Sequence, residues 1–192
     1  MEKTLLQRAA LLLFEMGQLR REQHSGWTLL GIKDVHSVAE HSLRAAQIAY
    51  VIAVLEGSDH PERVCAMLVF HDMTEARTRD AHKVASRYIP EIRHEQAASE
   101  QLQDMGEVGT SIRELWDEIE HRSTPDGIIA KDADYLEMAF SGKEFLERGF
   151  ADAQDWIDSV ERALKTKSAQ ELLSALKQTR STDWWKGLKR LS

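Results

Sequence analysis

The sequence predicts an all-α protein, because helix-breaking residues are few, apolar residues recur at helical spacing, and helix-capping motifs precede two of the apolar segments. Only three prolines and ten glycines occur among the 192 residues, which favours long helices over many short strands. No segment of useful length alternates apolar and polar residues as a half-buried strand would. A chain of this length can bury one hydrophobic core, so we expect a single domain over residues 1–192 with its core at about 4–180.

The first two helices are predicted by an apolar stripe and by a capping box. Apolar residues at helical spacing indicate a first helix from about Thr4 to Arg21, and a polar connection then runs from Arg21 to His36. The second helix opens at Ser37, whose side chain can accept a hydrogen bond from the backbone three residues on while Glu40 reaches back. His41 is thereby expected in the first turns of this helix.

Helical patterns continue through the rest of the chain. A third helix is predicted to start near Pro61, because proline suits the first helical turn. Six further helices are predicted, at about Lys83–Tyr88, Ile92–Met105, Ile112–His121, Gly127–Leu146, Asp152–Lys165 and Ala169–Gln178. Ser168 and Glu171 have the spacing of a second capping box, which we expect to open the last of these helices.

Composition and charge exclude several classes of protein. A formal net charge of -7 disfavours nonspecific binding to the phosphate backbone of nucleic acid polymers. No apolar stretch approaches the ~20 residues that span a membrane, and the N-terminal segment lacks the basic leader and cleavage site of a signal peptide. The single cysteine, Cys65, cannot form an internal disulfide, which favours a reducing, cytoplasmic location.

His71 and Asp72 are the most informative residues, because they directly follow the apolar run 64–70. An ionised carboxylate is costly to bury without a partner, and a divalent metal would satisfy both side chains at once. His41 upstream, and either Asp132 or Asp134 downstream, could complete a four-ligand nitrogen and oxygen site. A single His-Asp pair often arises by chance in a core or on a surface, but the ordered set predicts a metal site.

Two further acids follow the His-Asp pair. Glu75 lies four residues after His71, so a helical turn would bring it to the same face, where it could orient or deprotonate a water molecule. Asp80 follows where this helix should end. Without the metal motif, an exposed helix charge for Glu75 and a cap or turn residue for Asp80 would be the simpler interpretations.

A family resemblance is carried by three segments, SVAEH, HDMTEARTRD and AKDADYLEM. They resemble the HD-domain phosphohydrolases, and particularly the small 5′-deoxyribonucleotidase-like branch, which implies a single HD-domain helical bundle. Three further features are similar too: the Gly26-Trp27 pair upstream of His41, the EART sequence, and the aromatic DWIDSV and DWW segments. The resemblance extends over roughly residues 4–185.

The resemblance implies roles for particular residues. In this family the H…HD…D residues bind one divalent metal, which carries over to His41, His71, Asp72 and Asp134. Asp134 is preferred to Asp132 because it stands three residues before a Glu-Met pair, as in similar sequences.

The family's remaining site residues also have counterparts here. The acid that positions or activates the attacking water corresponds to Glu75, and the next aspartate, near substrate and water, corresponds to Asp80. The tryptophan near the sugar corresponds to Trp27, where it could disfavour a 2′-hydroxyl.

Two positions depart from the family pattern. Relatives commonly have an arginine that helps to hold phosphate where this chain has His24, and a glycine where it has Arg79. A histidine can still donate to phosphate, although its charge at neutral pH is conditional. Arg79 could contact phosphate from another direction or point into solvent.

The resemblance implies that the protein hydrolyses a deoxyribonucleoside 5′-monophosphate and forms a homodimer. The metal ion would be Mn²⁺, Co²⁺, Fe²⁺ or Mg²⁺, with Zn²⁺ also possible. One alternative is another HD-type activity, on a nucleoside triphosphate, a cyclic nucleotide or an alarmone. A noncatalytic nucleotide-binding protein with a structural metal, or a helical interaction domain without metal, are alternatives of a different class.

Other polar and aromatic residues have simpler interpretations. Three cations could form a rim around phosphate, or equally be solvated helix charges: Arg77, Lys83 and Arg87. Four histidines stand among charged residues and are expected at the surface: His36, His82, His94 and His121. Four tryptophans fit helix packing or a dimer interface better than catalysis: Trp116, Trp156, Trp184 and Trp185.

Overall fold

The computed structural model describes residues 3–89 and 92–188 and confirms the all-α prediction. Its helices, numbered along the chain, are α1 Leu5–Met16, α2 Val38–Glu56, α3 Pro61–Phe70, α4 Glu75–Thr78, α5 Lys83–Ser86, α6 His94–Leu102, α7 Gly106–His121, α8 Pro125–Glu147, α9 Gln154–Ala163 and α10 Lys167–Gln178. Three short 3₁₀ helices lie at Gly17–Arg20, Ser25–Leu30 and Ala151–Ala153. No helix of the described ranges has the length and apolar character needed to cross a membrane.

Local sequence determines where the two helices that frame the site begin. The predicted capping box at α2 is present: the Ser37 backbone N–H donates to Glu40 Oε2 at 2.7 Å, and the Glu40 N–H donates to Ser37 Oγ at 3.3 Å. Pro61 occupies the first residue of α3, as predicted. These caps satisfy backbone donors that have no partner inside the helix, and so they hold the start of α2 at a defined residue.

The largest hydrophobic core forms where α2, α3 and α8 pack together. Small residues on α2, such as Ala45 and Ala49, allow close approach, while Met67, Leu68 and Leu136 fill the space between the helices and are fully buried. Burial of each such large side chain stabilises the fold by about 1.5–3 kcal/mol. This core therefore fixes the relative positions of the three helices that carry the polar site.

Some predicted boundaries were wrong because tertiary contacts override the local pattern. Helix α7 begins at Gly106 rather than at Ile112. The predicted second capping box is absent: Thr166 caps α10, and Ser168 lies inside the helix, where its backbone N–H donates to Glu56 at 2.9 Å. The Thr166 backbone N–H donates to the buried carboxylate of Asp132 on α8, a contact that no local pattern reveals.

Candidate functional site

Three helices bring together the four residues predicted to bind metal. His41 lies in the first turn of α2, His71 and Asp72 directly follow the last residue of α3, and Asp134 lies in the middle of α8. Both histidines are buried, at 1% and 3% exposure. Packing of α3 against α2 and α8 thus places the start of one helix, the end of a second and the middle of a third at one point.

The donor atoms of these residues have the spacing of ligands around one ion. Nε2 of His41 lies 3.3 Å from Nε2 of His71 and 3.1 Å from Oδ1 of Asp134. Oδ2 of Asp72 lies 3.0 Å from Nε2 of His71 and 3.6 Å from Nε2 of His41. Bonds of about 2.0–2.2 Å to a central metal ion place neighbouring ligand atoms about 3 Å apart. The four side chains could therefore hold a divalent ion with little rearrangement.

Hydrogen bonds orient both imidazoles toward this point. Nδ1 of His71 donates to the carbonyl of Leu68 at 2.9 Å, and Nδ1 of His41 donates to Glu137 Oε2 at 2.6 Å. With Nδ1 protonated and occupied, the lone pair of each Nε2 is left for a ligand. The Trp116 indole also donates to the His71 carbonyl at 3.0 Å, which holds the end of α3 in place.

Glu137 is a buried anchor behind His41. It lies one helical turn after Asp134 on α8 and is fully buried. Its Oε1 accepts hydrogen bonds from Nε and Nη2 of Arg44, at 3.0 and 2.7 Å, and from Ser141 at 2.9 Å. Burial opposes its charged form, but His41 and Arg44 outweigh burial and hold the pKa of Glu137 far below its usual range.

The electrostatic field at the centre favours positive charge. Burial alone would lower the pKa of His71, but the carboxylates of Asp72 and Asp134 outweigh burial and raise that pKa to about 10. Burial likewise opposes ionisation of Asp134, yet Lys131, whose Nζ lies 2.9 Å from Oδ2, and the two imidazoles hold its pKa well below the usual range. A field that favours a proton on imidazole also favours a divalent cation between the same donors, so the residue set fits a metal ion.

Glu75 presents an unpaired carboxylate oxygen beside the donors. Helix α3 ends at Phe70, and Glu75 opens the short helix α4 rather than continuing α3, yet its side chain still lines the same cavity. Its Oε2 is buried and has no hydrogen-bond partner among the described residues. Burial, together with the nearby carboxylates of Asp72 and Asp80, raises the pKa of Glu75 to about 10. A buried acid that lacks a protein partner is suited to binding a water molecule in the cavity.

Asp80 lines the cavity and also holds its neighbouring loop. Its Oδ2 accepts the Ser25 backbone N–H at 2.5 Å, and the Ser25 hydroxyl donates to the Asp80 carbonyl at 3.0 Å. These bonds attach the segment after α4 to the 3₁₀ helix that carries Trp27. One oxygen of Asp80 is therefore committed to the backbone.

His24 and Trp27 both line the cavity, in different environments. Burial, with a smaller effect from His41, lowers the pKa of His24 to about 3, so His24 is neutral and brings no positive charge to a phosphate. Trp27 is only 1% exposed, and the Trp156 ring stacks on it with centroids 5.1 Å apart. Trp156 thus covers the residue predicted to contact the sugar and is itself part of the cavity wall.

Arg79 does not fit the predicted role in phosphate binding. Its side chain is 81% exposed and pairs with Glu22 at 3.3 Å, and it is not among the described residues that line the cavity. Its backbone has a φ of 67° and a ψ of 157°, a region that is essentially restricted to glycine. This conformation explains in physical terms why glycine suits this position in similar sequences.

We expect Arg79→Gly to be more stable than Arg79→Ala by about 1–2 kcal/mol. Both variants lose the same side chain, but only glycine removes the backbone strain, which costs about 1–3 kcal/mol. This gain in stability is partly offset because glycine has more conformational freedom in the unfolded chain. Urea unfolding of the two variants measures the difference. Equal free energies of unfolding would show that the backbone here is not strained.

Several other assignments change in the structure. Asp132, the alternative metal ligand, lies away from the centre: Oδ2 accepts the backbone N–H groups of Lys165 and Thr166 at 2.9 and 2.7 Å. Arg77 is paired with acids on α1 and α6 and does not form a rim to the cavity. Three of the four histidines expected at the surface are half-buried, two of them in the cavity wall: His36, His82 and His94.

Glu137 and Lys131 were not predicted as site residues from the sequence. Both lie three residues from Asp134 on α8, so helical periodicity alone places all three side chains on one face. That spacing was the available signal. Thr74 and Glu120, which also line the cavity, carried no comparable signal.

The chain is similar to several known proteins. A protein of Xenopus laevis named 5'-deoxynucleotidase HDDC2 is 28% identical over 173 residues, covering 87% of this chain and 85% of the relative. A 5'-deoxynucleotidase of Erwinia tasmaniensis is 29% identical over 158 residues, with 76% and 79% coverage. A genomics crystal structure is 34% identical, with a TM-score of 0.77, and the match covers 93% of this chain and 99% of that one. The family model described as HD domain matches residues 16–177, and the chain therefore belongs to the HD-domain family.

Proposed function

We propose that this protein hydrolyses deoxyribonucleoside 5′-monophosphates to the nucleoside and inorganic phosphate. As a member of the HD-domain family, with His and Asp side chains able to hold an ion, it is a metal-dependent phosphohydrolase. The observation that carries the proposal is the unpaired Glu75 oxygen beside four convergent donors, since a purely structural metal site needs no such acid. The names of similar proteins support the choice of substrate.

In this proposal His41, His71, Asp72 and Asp134 hold the ion. A divalent ion in such a site supplies Lewis acidity that offsets the charge developing on the phosphoryl group. The imidazole and carboxylate donors suit Mn²⁺, Co²⁺, Fe²⁺ or Mg²⁺, and Zn²⁺ is also compatible with them.

Glu75 acts on the attacking water. Burial and the nearby carboxylates keep this carboxyl group protonated without a metal ion, and a divalent ion held beside it would lower its pKa and leave a carboxylate. The free oxygen of that carboxylate takes one water proton as the water oxygen bonds to phosphorus and the P–O bond to the sugar breaks. The departing 5′-oxygen takes up that proton, which gives the nucleoside hydroxyl and returns Glu75 to its carboxylate form. Asp80 keeps the loop before Trp27 in position, and Lys131, which lines the cavity, contributes positive charge that neutral His24 does not supply.

Phosphate release from a panel of nucleotides tests the proposal. We expect turnover with Mn²⁺, Co²⁺ or Mg²⁺ that disappears on chelation and favours deoxyribonucleoside over ribonucleoside 5′-monophosphates. Nucleoside triphosphates and cyclic nucleotides belong in the same panel. Faster turnover of either, or equal turnover of ribo- and deoxyribonucleotides, would contradict the substrate assignment.

Three further proposals concern the state of the protein. We propose one functional domain, since α2, α3, α7, α8, α9 and α10 all contribute side chains to one core. We also propose a homodimer, supported by apolar side chains on the outer face of α2 that are 49–63% exposed: Leu43, Tyr50, Val51, Val54 and Leu55. The aromatic tail, which the sequence favours as a dimer contact, has Trp184 exposed and remains a second candidate surface. Light scattering measures the mass of the assembly.

The free thiol of Cys65 supports a cytoplasmic location.

A further inference from the structure

A second cavity adjoins the cavity that contains the metal-binding side chains. The first has a volume of about 340 Å³ and the second about 430 Å³. Both volumes lie in the range of about 300–1,000 Å³ typical of small-molecule sites. Six residues line both cavities: Gly26, His82, Lys83, Tyr135, Met138 and Trp156. The two therefore form one cleft that starts at the His and Asp cluster and continues along α8 and α9.

The two ends of this cleft differ in chemistry. The first end holds the imidazoles and carboxylates already described. The second is bounded by Val160 and Ala163 of α9 on one side and by Leu29 and Val84 on the other. Leu29 and Val84 line this groove and remain 49% and 51% exposed, so part of their apolar surface is accessible. Exposed apolar side chains that line a groove beside a reactive centre indicate a binding surface for an apolar part of a ligand.

We propose that this second cavity, the apolar groove, binds the nucleobase of the substrate. The inference rests on the proposed function, because a phosphate held at the metal-binding end requires the rest of the nucleotide to extend along the cleft. A nucleobase is flat, with apolar faces and a polar edge, and the groove has both apolar and polar side chains in its walls. Aromatic and aliphatic side chains line its walls.

Two features suit the groove to this occupant. Trp156 is held rigid by its stacking on Trp27, so its indole is a fixed surface at the junction of the two cavities. Asp155 and Ser159, one helical turn apart on α9, line the groove and are exposed, so they can meet the hydrogen-bonding edge of a base. Base stacking on such surfaces tolerates every base because each has a π face.

A substrate without a base provides the first test. We expect kcat/KM for 2-deoxyribose 5-phosphate to be at least about 10-fold below that for deoxyribonucleoside 5′-monophosphates, since base–aromatic contacts contribute on this scale. Comparable values for the two substrates would overturn the groove assignment while leaving the phosphatase proposal intact.

Variants of the groove provide the second test. Leu29→Asp and Val84→Asp each place a carboxylate where an apolar base face would lie, and both positions are half-exposed, so the fold should tolerate them. We expect KM for the nucleotide to rise about 10-fold in each. Val108→Asp is the matched control, because Val108 is 46% exposed on α7 and lies outside the described walls of both cavities. If KM were the same in Leu29→Asp, Val84→Asp and Val108→Asp, the proposal would be contradicted.

A binding measurement separates this inference from the proposed function. Glu75→Gln protein loaded with Mn²⁺ should bind a deoxyribonucleoside 5′-monophosphate, with quenching of tryptophan fluorescence, and Leu29→Asp in the same background should weaken that binding about 10-fold. Binding that Leu29→Asp and Val84→Asp leave unchanged would overturn the groove alone. Absence of both nucleotide binding and turnover in the otherwise unaltered protein would overturn the proposed function together with the groove.

Discussion

Replacing Glu75 with glutamine should lower kcat by about 10²–10⁴-fold, the contribution typical of a positioned general base, while the protein keeps its metal ion. The amide has nearly the same shape but cannot take a proton from water. Because the Glu75 carboxyl group is buried without a partner for one oxygen, its removal should not reduce the melting temperature. Phosphate release, metal content by mass spectrometry and thermal unfolding measure the three quantities.

Glu107→Gln is a suitable control for this experiment. Glu107 lies exposed in the first turn of α7 and is not among the described residues that line the cavity. The same chemical change there should leave turnover and metal content unaltered. Loss of metal from Glu75→Gln would instead make Glu75 a ligand, and full turnover would remove it from the mechanism.

Replacing Glu137 with alanine should weaken metal binding about 10–100-fold, the range found when partners that orient metal-binding residues are removed. The His41 Nδ1–H would lose its acceptor, and the ring could then adopt the tautomer that turns a proton toward the metal. The free energy of unfolding should also fall by about 3 kcal/mol, because removing one partner leaves the half-buried Arg44 and the buried histidine without their shared carboxylate. Cobalt titration followed by absorbance, and urea unfolding, measure the two effects.

Glu144→Ala provides the matched comparison. Glu144 also binds Arg44, at 2.9 Å, but it is half-exposed and has no described hydrogen bond to His41. Its removal should leave metal affinity almost unchanged. If Glu144→Ala and Glu137→Ala weakened cobalt binding equally, the effect would come from Arg44 or from general loss of packing rather than from orientation of His41.

The sequence predicted what depends on local spacing. The capping box at Ser37 fixed the start of α2, and the apolar run before His71 placed that residue at the buried end of a helix, so their identification needed no tertiary information. Asp134 was preferred to Asp132 through the family resemblance, because it stands three residues before a Glu-Met pair. These features are properties of a few neighbouring residues.

The remaining differences arise from contacts between distant segments. His36 is half-buried, its Nε2 lies 3.1 Å from Nδ1 of His24, and its ring stacks on Phe145 from the distant helix α8. Asp132 binds the chain 33 residues later, where it fixes the start of α10 and excludes Ser168 from the capping position. Local propensity cannot report such pairs, so the surface assignments of His36, His82 and His94 and the last capping box were wrong.

The separation of the donor residues along the chain has a consequence for biosynthesis. His41 and His71 are 30 residues apart, whereas Asp134 is 93 residues from His41. A growing chain can bring the two histidines together once α3 has formed, but the fourth donor arrives only after α8 has been synthesised and docked. If these residues hold the ion as proposed, tight metal capture during translation is delayed until the large core between α2, α3 and α8 has assembled.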